Sequence, residues 1–337
     1  MMTPRQLVRR ALDHASPPRV PRQAWITPWA ERHHPADVAR LRAEFPDDIA
    51  TAPASYRTPL PIVGHPYRKG LYVDEWGCRF DNPYDGLLGR ALEPPIRRWS
   101  DLESFHPPAG LLDLDRDAID RFCASTDRFV LAGAPVRLFE RLCLLRAMEG
   151  ALADLLERPP GLGVLLDLLR RHARAEVAAW AATDVDAIVI ADDWGGEDRL
   201  LVSPDTWRQA FKPLYRELCA TARQAGKFVF MHSDGWILDI VPDLVEIGVQ
   251  ALNCQVARMG APALGRFRGR LTFWGEIDRH AVLAHGSADD VRHAVREACD
   301  HLSARGGVIA QCEFGPGARP ENVIEVFRAW QACGASG

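Results

Sequence analysis

The chain has 337 residues, of which 47% are hydrophobic and 26% are charged, an ordinary globular composition. Its formal net charge of −4 argues against a nucleic-acid-binding protein. The N-terminal segment lacks the apolar core of a secretion signal, and no apolar run is long enough to span a bilayer. The eight cysteines are scattered and form no CxxC pair. We therefore expect a cytoplasmic protein, not membrane-bound, with reduced and mostly buried thiols.

The first part of the chain predicts an N-terminal amphipathic helix and then two short strands, residues 22–26 and 48–52, on either side of a helix over 35–45. Residues 53–128 are rich in Pro and Gly, and a hairpin is predicted around 72–80. A connection of this length is usually functional. It is predicted to be an insertion after the second strand that covers one end of the fold.

The rest of the chain alternates short apolar runs with helical patterns. Strands are predicted at 129–133, 186–191, 227–231, 249–253, 271–274 and 307–311. The helices between and after them are predicted at 138–157, 162–183, from Ser203 with a kink at Pro213, at 236–246 and 262–267, from Ser287, and from Pro320. This alternation implies a parallel sheet. With the two earlier strands the total is eight, so the prediction is one (β/α)8 TIM-type barrel domain over residues 1–337.

Polar side chains collect at the predicted carboxyl ends of the strands, where barrel enzymes have their active sites. In chain order these residues are Asp192 and Asp193, His232 and Asp234, Asn253, Cys254 and Gln255, Glu276, and Cys312 and Glu313. Convergent polar groups on separate strands are typical of an enzyme site. We take Asn253, Gln255 and Glu313 as candidate substrate-binding residues.

The His232-Ser233-Asp234 spacing bears on metal binding. Residues i and i+2 of an extended segment point to the same side, so both side chains can reach one ion. Together with Cys312 they form a nitrogen, oxygen and sulfur set that zinc accepts, and Cys254 or Glu276 could supply a fourth ligand. The alternative is structural, since a histidine also commonly hydrogen-bonds a nearby aspartate.

The adjacent pair Asp192-Asp193 should point in opposite directions, so that one carboxylate faces the cavity as a general acid or base, or as a substrate ligand. Glu276 is the third candidate catalytic carboxylate. Trp25, Trp76 and Trp194 are expected to form an apolar pocket wall for a small-molecule substrate. Each tryptophan alone is more typical of core packing.

Several stretches resemble the uroporphyrinogen decarboxylase superfamily, over almost the whole chain. The segments are HSDG at 232–235, the EIG motif that precedes Asn253, LTFWGEID at 271–278 and the PEN motif at 320–322. The resemblance implies a (β/α)8 barrel, in agreement with the strand count, and a homodimer. Its porphyrinogen decarboxylase branch uses a motif with two arginines near the N-terminus. Here RQAWITPW begins at Arg22 and lacks the second arginine, which argues against uroporphyrinogen as the substrate.

The methylcobalamin:coenzyme M methyltransferase branch binds zinc through an HxC pair and a distal cysteine. His232 and Cys312 match that histidine and the distal cysteine, whereas Asp234 stands in place of the first cysteine. Cys254 lies where related zinc methyltransferases have a glutamate ligand. The resemblance therefore implies zinc at His232, Asp234, Cys312 and Cys254, and a corrinoid protein as a partner.

Three functions are predicted. The first is a zinc-dependent methyl (alkyl) transferase acting on a small molecule, with methyl supplied by a corrinoid or another small methylated molecule. The second is a cofactor-free decarboxylase of a small carboxylate, which would depend on Asp192 or Asp193. The third is a non-catalytic binding protein with a barrel fold.

Overall fold

Eight parallel strands form a nearly closed barrel in a computed structural model that describes residues 2–334. Met1 and residues 335–337, the ends of the predicted domain, lie outside the described residues. The strands are β1 (Arg22–Ile26), β2 (Ile49–Thr51), β3 (Phe129–Leu131), β4 (Ala187–Ala191), β5 (Phe228–Ser233), β6 (Ala251–Cys254), β7 (Thr272–Trp274) and β8 (Val308–Phe314). Their order is β1-β8-β7-β6-β5-β4-β3-β2. The predicted fold and number of strands are confirmed.

The gap between β1 and β2 is bridged by the segment that precedes β2. The backbone N–H of Asp48 donates to the carbonyl of Arg22 at 2.9 Å. The Asp47 carboxylate accepts from the N–H of Ala24 at 2.8 Å. These bonds pair backbone groups that would otherwise be unsatisfied at the two edges, so the cylinder closes without a full strand ladder there.

Side chains alternate between the inside of the barrel and the surrounding helices, as strand geometry requires. One cluster of core residues fills the barrel, and it includes Phe129, Phe230, Ala251, Trp274 and Ile309. A larger cluster lies between the barrel and the helices, and it includes Val229, Met231, Leu252, Val308 and Ala310. The inward positions of β5 are therefore 228, 230 and 232, and those of β8 are 309, 311 and 313.

Helices cover the outside of the barrel. The α-helices are Pro28–His33, Pro35–Glu44, Arg116–Ala124, Phe139–Arg146, Met148–Glu157, Pro160–Ala181, Pro204–Ala210, Lys212–Gln224, Val241–Ile247, Val256–Met259, Ala261–Leu264, Val282–His285, Ala288–Leu302 and Pro320–Gly334. Short 3-10 helices occur at Trp99–Glu103, Ala109–Leu112 and Gly265–Phe267. The predicted helix over 138–157 is two helices, because Ala147 has a φ of 63° that an α-helix cannot accommodate. The kink predicted at Pro213 is a break at Phe211.

The N-terminal helix Pro4–Leu12 closes the amino end of the barrel. Thr3 caps it, accepting a hydrogen bond from the N–H of Gln6 at 3.2 Å. Val8 and Leu12 belong to the cluster that fills the barrel. This plug leaves the opposite end, where the strands terminate, as the open mouth.

The insertion after β2 contains a small antiparallel sheet of three strands, Gly70–Val73, Arg79–Asn82 and Arg90–Ala91, as the hairpin prediction required. A buried ion pair of 2.6 Å joins Asp74 of this insertion to Arg141, which lies in the helix after β3. The insertion is thus fixed to the barrel at its mouth end. Its role as a lid stays a prediction.

Two cysteines differ from the prediction of reduced thiols. Cys299 and Cys333 form a disulfide, because the helices Ala288–Leu302 and Pro320–Gly334 bring their Cα atoms to 6.6 Å. The other six cysteines are free and buried. Within residues 2–334, no helix is both long and apolar enough to cross a membrane.

Candidate functional site

Asp193, His232 and Asp234, here called the Asp–His–Asp triad, meet at the mouth of the barrel. Asp193 follows β4, His232 lies near the end of β5, and Asp234 follows β5. One ligand atom from each lies within 4.8 Å of the other two. The imidazole Nε2 is 3.4 Å from Asp193 Oδ1 and 3.8 Å from Asp234 Oδ1. The three side chains therefore present one nitrogen and two carboxylate oxygens to a common point.

A close backbone contact between two loops holds the triad together. An added Cβ on Gly195 would lie 2.3 Å from the carbonyl carbon of Gly235, so only glycine fits there. In addition, the N–H of Gly195 donates to the carbonyl of Asp234 at 3.0 Å, and the N–H of Asp234 donates to Asp193 Oδ1 at 2.9 Å. The WGG and DG turns thus place both carboxylates beside His232.

Asn253 orients the imidazole. Its Oδ1 is 2.6 Å from His232 Nδ1, and its Nδ2 donates to Gln311 Oε1 at 3.1 Å and to the carbonyl of Trp274. Since the amide nitrogen is committed as a donor, the oxygen must accept the Nδ1 proton. In the neutral form of the ring the lone pair is then on Nε2, which faces the two carboxylates. Trp25 covers the ring, with centroids 5.3 Å apart.

One oxygen of the triad has no hydrogen-bond partner. Asp234 Oδ1 is buried and makes no hydrogen bond within the described part of the chain, whereas Asp234 Oδ2 pairs with Arg279. A buried carboxylate oxygen without a donor is costly. A cation at the triad would satisfy it, and aspartate oxygens with a histidine nitrogen are ligands that zinc accepts. The residues present therefore fit a divalent metal.

Arg279 is the main positive charge of this region. Besides Asp234, its guanidinium lies 3.6 Å from Glu276 and 3.5 Å from Glu313. Burial raises the pKa of Glu276 to about 8 despite Arg279, so this carboxyl holds a proton at neutral pH. Even without the protonated Glu276, three acidic side chains, Asp193, Asp234 and Glu313, share the site with this one arginine, and the site therefore favours a cation over an anion.

Asp192 lies away from the triad, as expected for the neighbour of an inward residue. It is fully buried, and it accepts hydrogen bonds from the backbone N–H groups of Leu138 and Glu140, both at 2.8 Å, and from the Tyr215 hydroxyl at 2.6 Å. Burial raises its pKa to about 6. This carboxylate ties β4 to the surrounding helices, and the structure gives it no path to a substrate.

The two candidate cysteine ligands are not brought to the triad. Cys254 and Cys312 are fully buried and belong to the core between barrel and helices. The alternation explains this, because Gln311 and Glu313 point inward on β8 and Cys312 must then point outward. Burial raises the pKa of both thiols above the usual range, so neither is a ready thiolate.

The other predicted substrate-binding residues are dispersed. Trp25 lies in the barrel beside His232, but Trp194 is fully buried against Phe139, with ring centroids 3.9 Å apart, outside the cavity. Trp76 lies in the insertion and lines a different cavity. Gln255 accepts from the N–H of Gly235 at 3.1 Å, and its side chain thereby supports the loop after β5.

Sequence reasoning missed Arg279 and the contribution of Asp193 to the metal-capable set. Arg279 lies three residues after Glu276 in the loop that follows β7. The sequence did show that Arg279 is a basic residue near the acidic residues at the strand ends. Its long side chain could equally well have pointed to solvent, so the sequence alone did not place it in the site. Two of the predicted residues, Gln255 and Glu276, line a small cavity of about 200 Å³ beside the site.

Comparison with known proteins agrees with this fold. The family model for uroporphyrinogen decarboxylase (URO-D) matches residues 73–333. No curated protein sequence matches significantly. Among solved structures, a methyltransferase from Methanosarcina mazei is similar with a TM-score of 0.71 at 17% identity, covering 98% of this chain and 99% of that one. An endo-β-1,4-xylanase from Gloeophyllum trabeum has a TM-score of 0.45 at 12% identity, covering 96% and 99%.

Proposed function

Since this chain belongs to the uroporphyrinogen decarboxylase (URO-D) family, we propose that it is a zinc-dependent methyl (alkyl) transferase that acts on a small molecule at the mouth of the barrel. The proposal depends mainly on the Asp–His–Asp triad, whose three ligand atoms lie within 4.8 Å and include a buried oxygen without a hydrogen-bond partner. The ligand set differs from the one expected from sequence, because Asp193 rather than Cys312 is the third ligand beside His232 and Asp234.

In this proposal His232 Nε2, Asp193 and Asp234 hold the metal, and three protein ligands leave a position open for the substrate. Zinc bound there would lower the pKa of a substrate thiol and so supply a thiolate nucleophile. The sulfur would form a bond to the methyl carbon, the donor would leave with the electron pair of its bond to that carbon, and the thiol proton would pass to solvent. The donor is a corrinoid protein or a small methylated molecule.

The remaining residues have distinct roles. Asn253 keeps the His232 lone pair on Nε2. Glu276, protonated at neutral pH, can donate a hydrogen bond to the substrate or hold a proton beside it. Arg279 offsets the surrounding carboxylates and fixes Asp234 Oδ2, which leaves Oδ1 for the metal.

The alternative of a cofactor-free decarboxylase has weaker support. Its substrate carboxylate would enter a site that holds one arginine together with the carboxyl groups of Asp193, Asp234 and Glu313, and this excess of acidic groups disfavours an anion. Asp192, one of its two predicted catalytic residues, is engaged by three donors. A non-catalytic barrel that binds a cation at the triad would account for the unpartnered oxygen equally well, and it differs from the proposal in showing no turnover.

The direct test is methyl transfer from methylcobalamin to an uncharged thiol, 2-mercaptoethanol, followed by the absorbance change of the corrinoid. We expect turnover with zinc, a loss of about 100-fold or more in His232→Ala, and no change in Glu157→Gln, an exposed control. Zinc binding without transfer to any thiol would contradict methyl transfer. Decarboxylation that is insensitive to chelators would support the alternative.

A further inference from the structure

A larger cavity lies at the same end of the barrel, between the insertion and the segments that follow β2 and β3. Its volume is about 610 Å³, within the range of small-molecule sites. Tyr56, Leu60 and Trp76 line it from the insertion, Pro135 from the segment after β3, and Glu176 from the helix behind. None of the triad residues lines it.

Glu176 is the unexplained group of this cavity. It is only 8% exposed, yet it makes no hydrogen bond or ion pair within residues 2–334. Burial raises its pKa to about 8. Most of this side chain is removed from water, and its carboxyl group borders the cavity without compensation from a protein hydrogen bond. Its position in the lining leaves it available to something in the cavity.

The two arginines of the lining do not fill this role, because each already has another acid. Arg141 pairs with Asp74 at 2.6 Å, and Arg137 pairs with Glu140 at 3.0 Å. A further acid of the lining, Glu75, lies 3.4 Å from Arg141. When all these groups are ionised, carboxylates outnumber guanidinium groups. Above pH 8, where Glu176 is mostly ionised, the cavity therefore favours a positively charged ligand.

The apolar part of the lining restricts the kind of cation. Trp76 and Tyr56 contribute aromatic surface, and Leu60, Pro135 and Leu111 contribute aliphatic surface. The Trp76 indole already packs against the Arg141 guanidinium, which lies 4.8 Å from the ring centroid, so that face of the ring is taken and the rest of the ring contributes apolar contact area. A hydrated metal ion would gain little binding free energy from these apolar side chains. The carbon atoms of an organic cation would instead be removed from water, which favours binding.

We propose that this cavity binds a small organic cation of the alkylammonium class, with its charged nitrogen facing Glu176 and its alkyl groups against Leu60 and the aromatic side chains. This site is additional to the triad and does not depend on a metal being bound there. The carboxylate and the aromatic surface supply complementary parts of the recognition, charge from one and contact area from the other.

The test compares choline with 3,3-dimethylbutan-1-ol, in which carbon replaces the charged nitrogen at nearly the same shape. Titration calorimetry is run at pH 8.5 with EDTA, where the Glu176 carboxyl, with its pKa of about 8, is mostly ionised. We expect saturable binding of choline, and binding of the neutral alcohol weaker by about tenfold or more, because the quaternary nitrogen, which has no N–H to donate, attracts the Glu176 carboxylate through its charge.

Two variants complete the test. Glu176→Gln keeps the shape of the side chain and removes its charge, so choline affinity should fall by about tenfold or more. Glu157→Gln should bind choline like the parent chain. No choline binding, equal binding of choline and its neutral isostere, or an unchanged affinity in Glu176→Gln would each overturn the proposal. Because EDTA is present throughout, these outcomes are independent of zinc binding at the triad.

Discussion

Replacing Asp192 by Ala tests whether this carboxylate stabilises the fold rather than reacts with substrate. Asp192 is fully buried, and its two oxygens accept from the N–H groups of Leu138 and Glu140 and from the Tyr215 hydroxyl at 2.6 to 2.8 Å. These bonds join the end of β4 to the segment after β3 and to helix Lys212–Gln224. Alanine leaves all three donors buried without an acceptor.

Each unsatisfied donor costs about 1–3 kcal/mol. Partial relaxation recovers some of this, so we expect Asp192→Ala to lower the free energy of unfolding by about 3–5 kcal/mol. Tyr215→Phe removes one of the three bonds to Asp192 and also the acceptor of the buried Trp194 Nε1–H, 2.9 Å away, so it should cost about 2–3 kcal/mol. Urea unfolding followed by circular dichroism measures both. The contrast is Asp193→Asn at the next residue, whose side chain is 43% exposed, with an expected loss of about 1 kcal/mol or less.

The reasoning fails if Asp192→Ala unfolds at the same urea concentration as Asp193→Asn. It also fails if Asp192→Ala folds normally but loses activity, since that pattern would identify a reacting carboxylate. The expected pattern is the reverse, with metal binding lost in Asp193→Asn and stability lost in Asp192→Ala.

Three further predictions concern the site and its support. Asn253→Ala should weaken zinc binding about 10- to 100-fold in chelator competition, because His232 loses its orienting partner; an unchanged affinity would contradict this role. Folding raises the pKa of Glu276 from 4.5 to about 8, so the folded chain binds this proton more tightly and loses stability as pH rises between these values. Urea unfolding from pH 5 to 8 should therefore show a smaller decrease in the free energy of unfolding for Glu276→Gln than for the parent chain. Equal decreases would refute the raised pKa. Gly195→Ala should lower the melting temperature, because the added Cβ would lie 2.3 Å from the backbone of Gly235. The control is Gly163→Ala, which lies in a helix with open space around it and should raise stability by about 0.5–1 kcal/mol. Equal melting temperatures for the two variants would show that the loop contact is not tight.

The barrel could be predicted because its strands are marked by local pattern. The β-branched run in β4 and the strand–helix alternation after it are properties of short segments, and the parallel arrangement follows from them. The break at Ala147 could not be predicted, since the residue takes a positive φ that its own chemistry disfavours. Tertiary packing decides such positions.

The site illustrates a limit of alternation as a guide. The i, i+2 relation places His232 and Asp234 on one side, and the structure does bring them together. On β8 the same relation says only that Cys312 points opposite to Gln311 and Glu313. All three residue types are plausible ligands or substrate contacts, so the sequence does not say which set faces inward. The partners inside the barrel, Asn253 for Gln311 and Arg279 for Glu313, decide it.

Arg279 was missed for a related reason. It belongs to a loop, and the reach of a long side chain depends on where neighbouring loops end. Similarly, the pairing of Cys299 with Cys333 depends on the packing of two helices that are separated by β8 in the chain. Contacts between distant segments are not encoded in the local pattern of either one.

The most direct test of the account is a zinc titration of the purified chain, with elemental analysis of the product. The account predicts about one zinc ion per chain, retained when Cys312 is replaced by Ala and lost when His232 or Asp193 is replaced by Ala. Zinc that persists in His232→Ala, or that disappears in Cys312→Ala while the fold is intact, would contradict the assignment of the metal to the Asp–His–Asp triad.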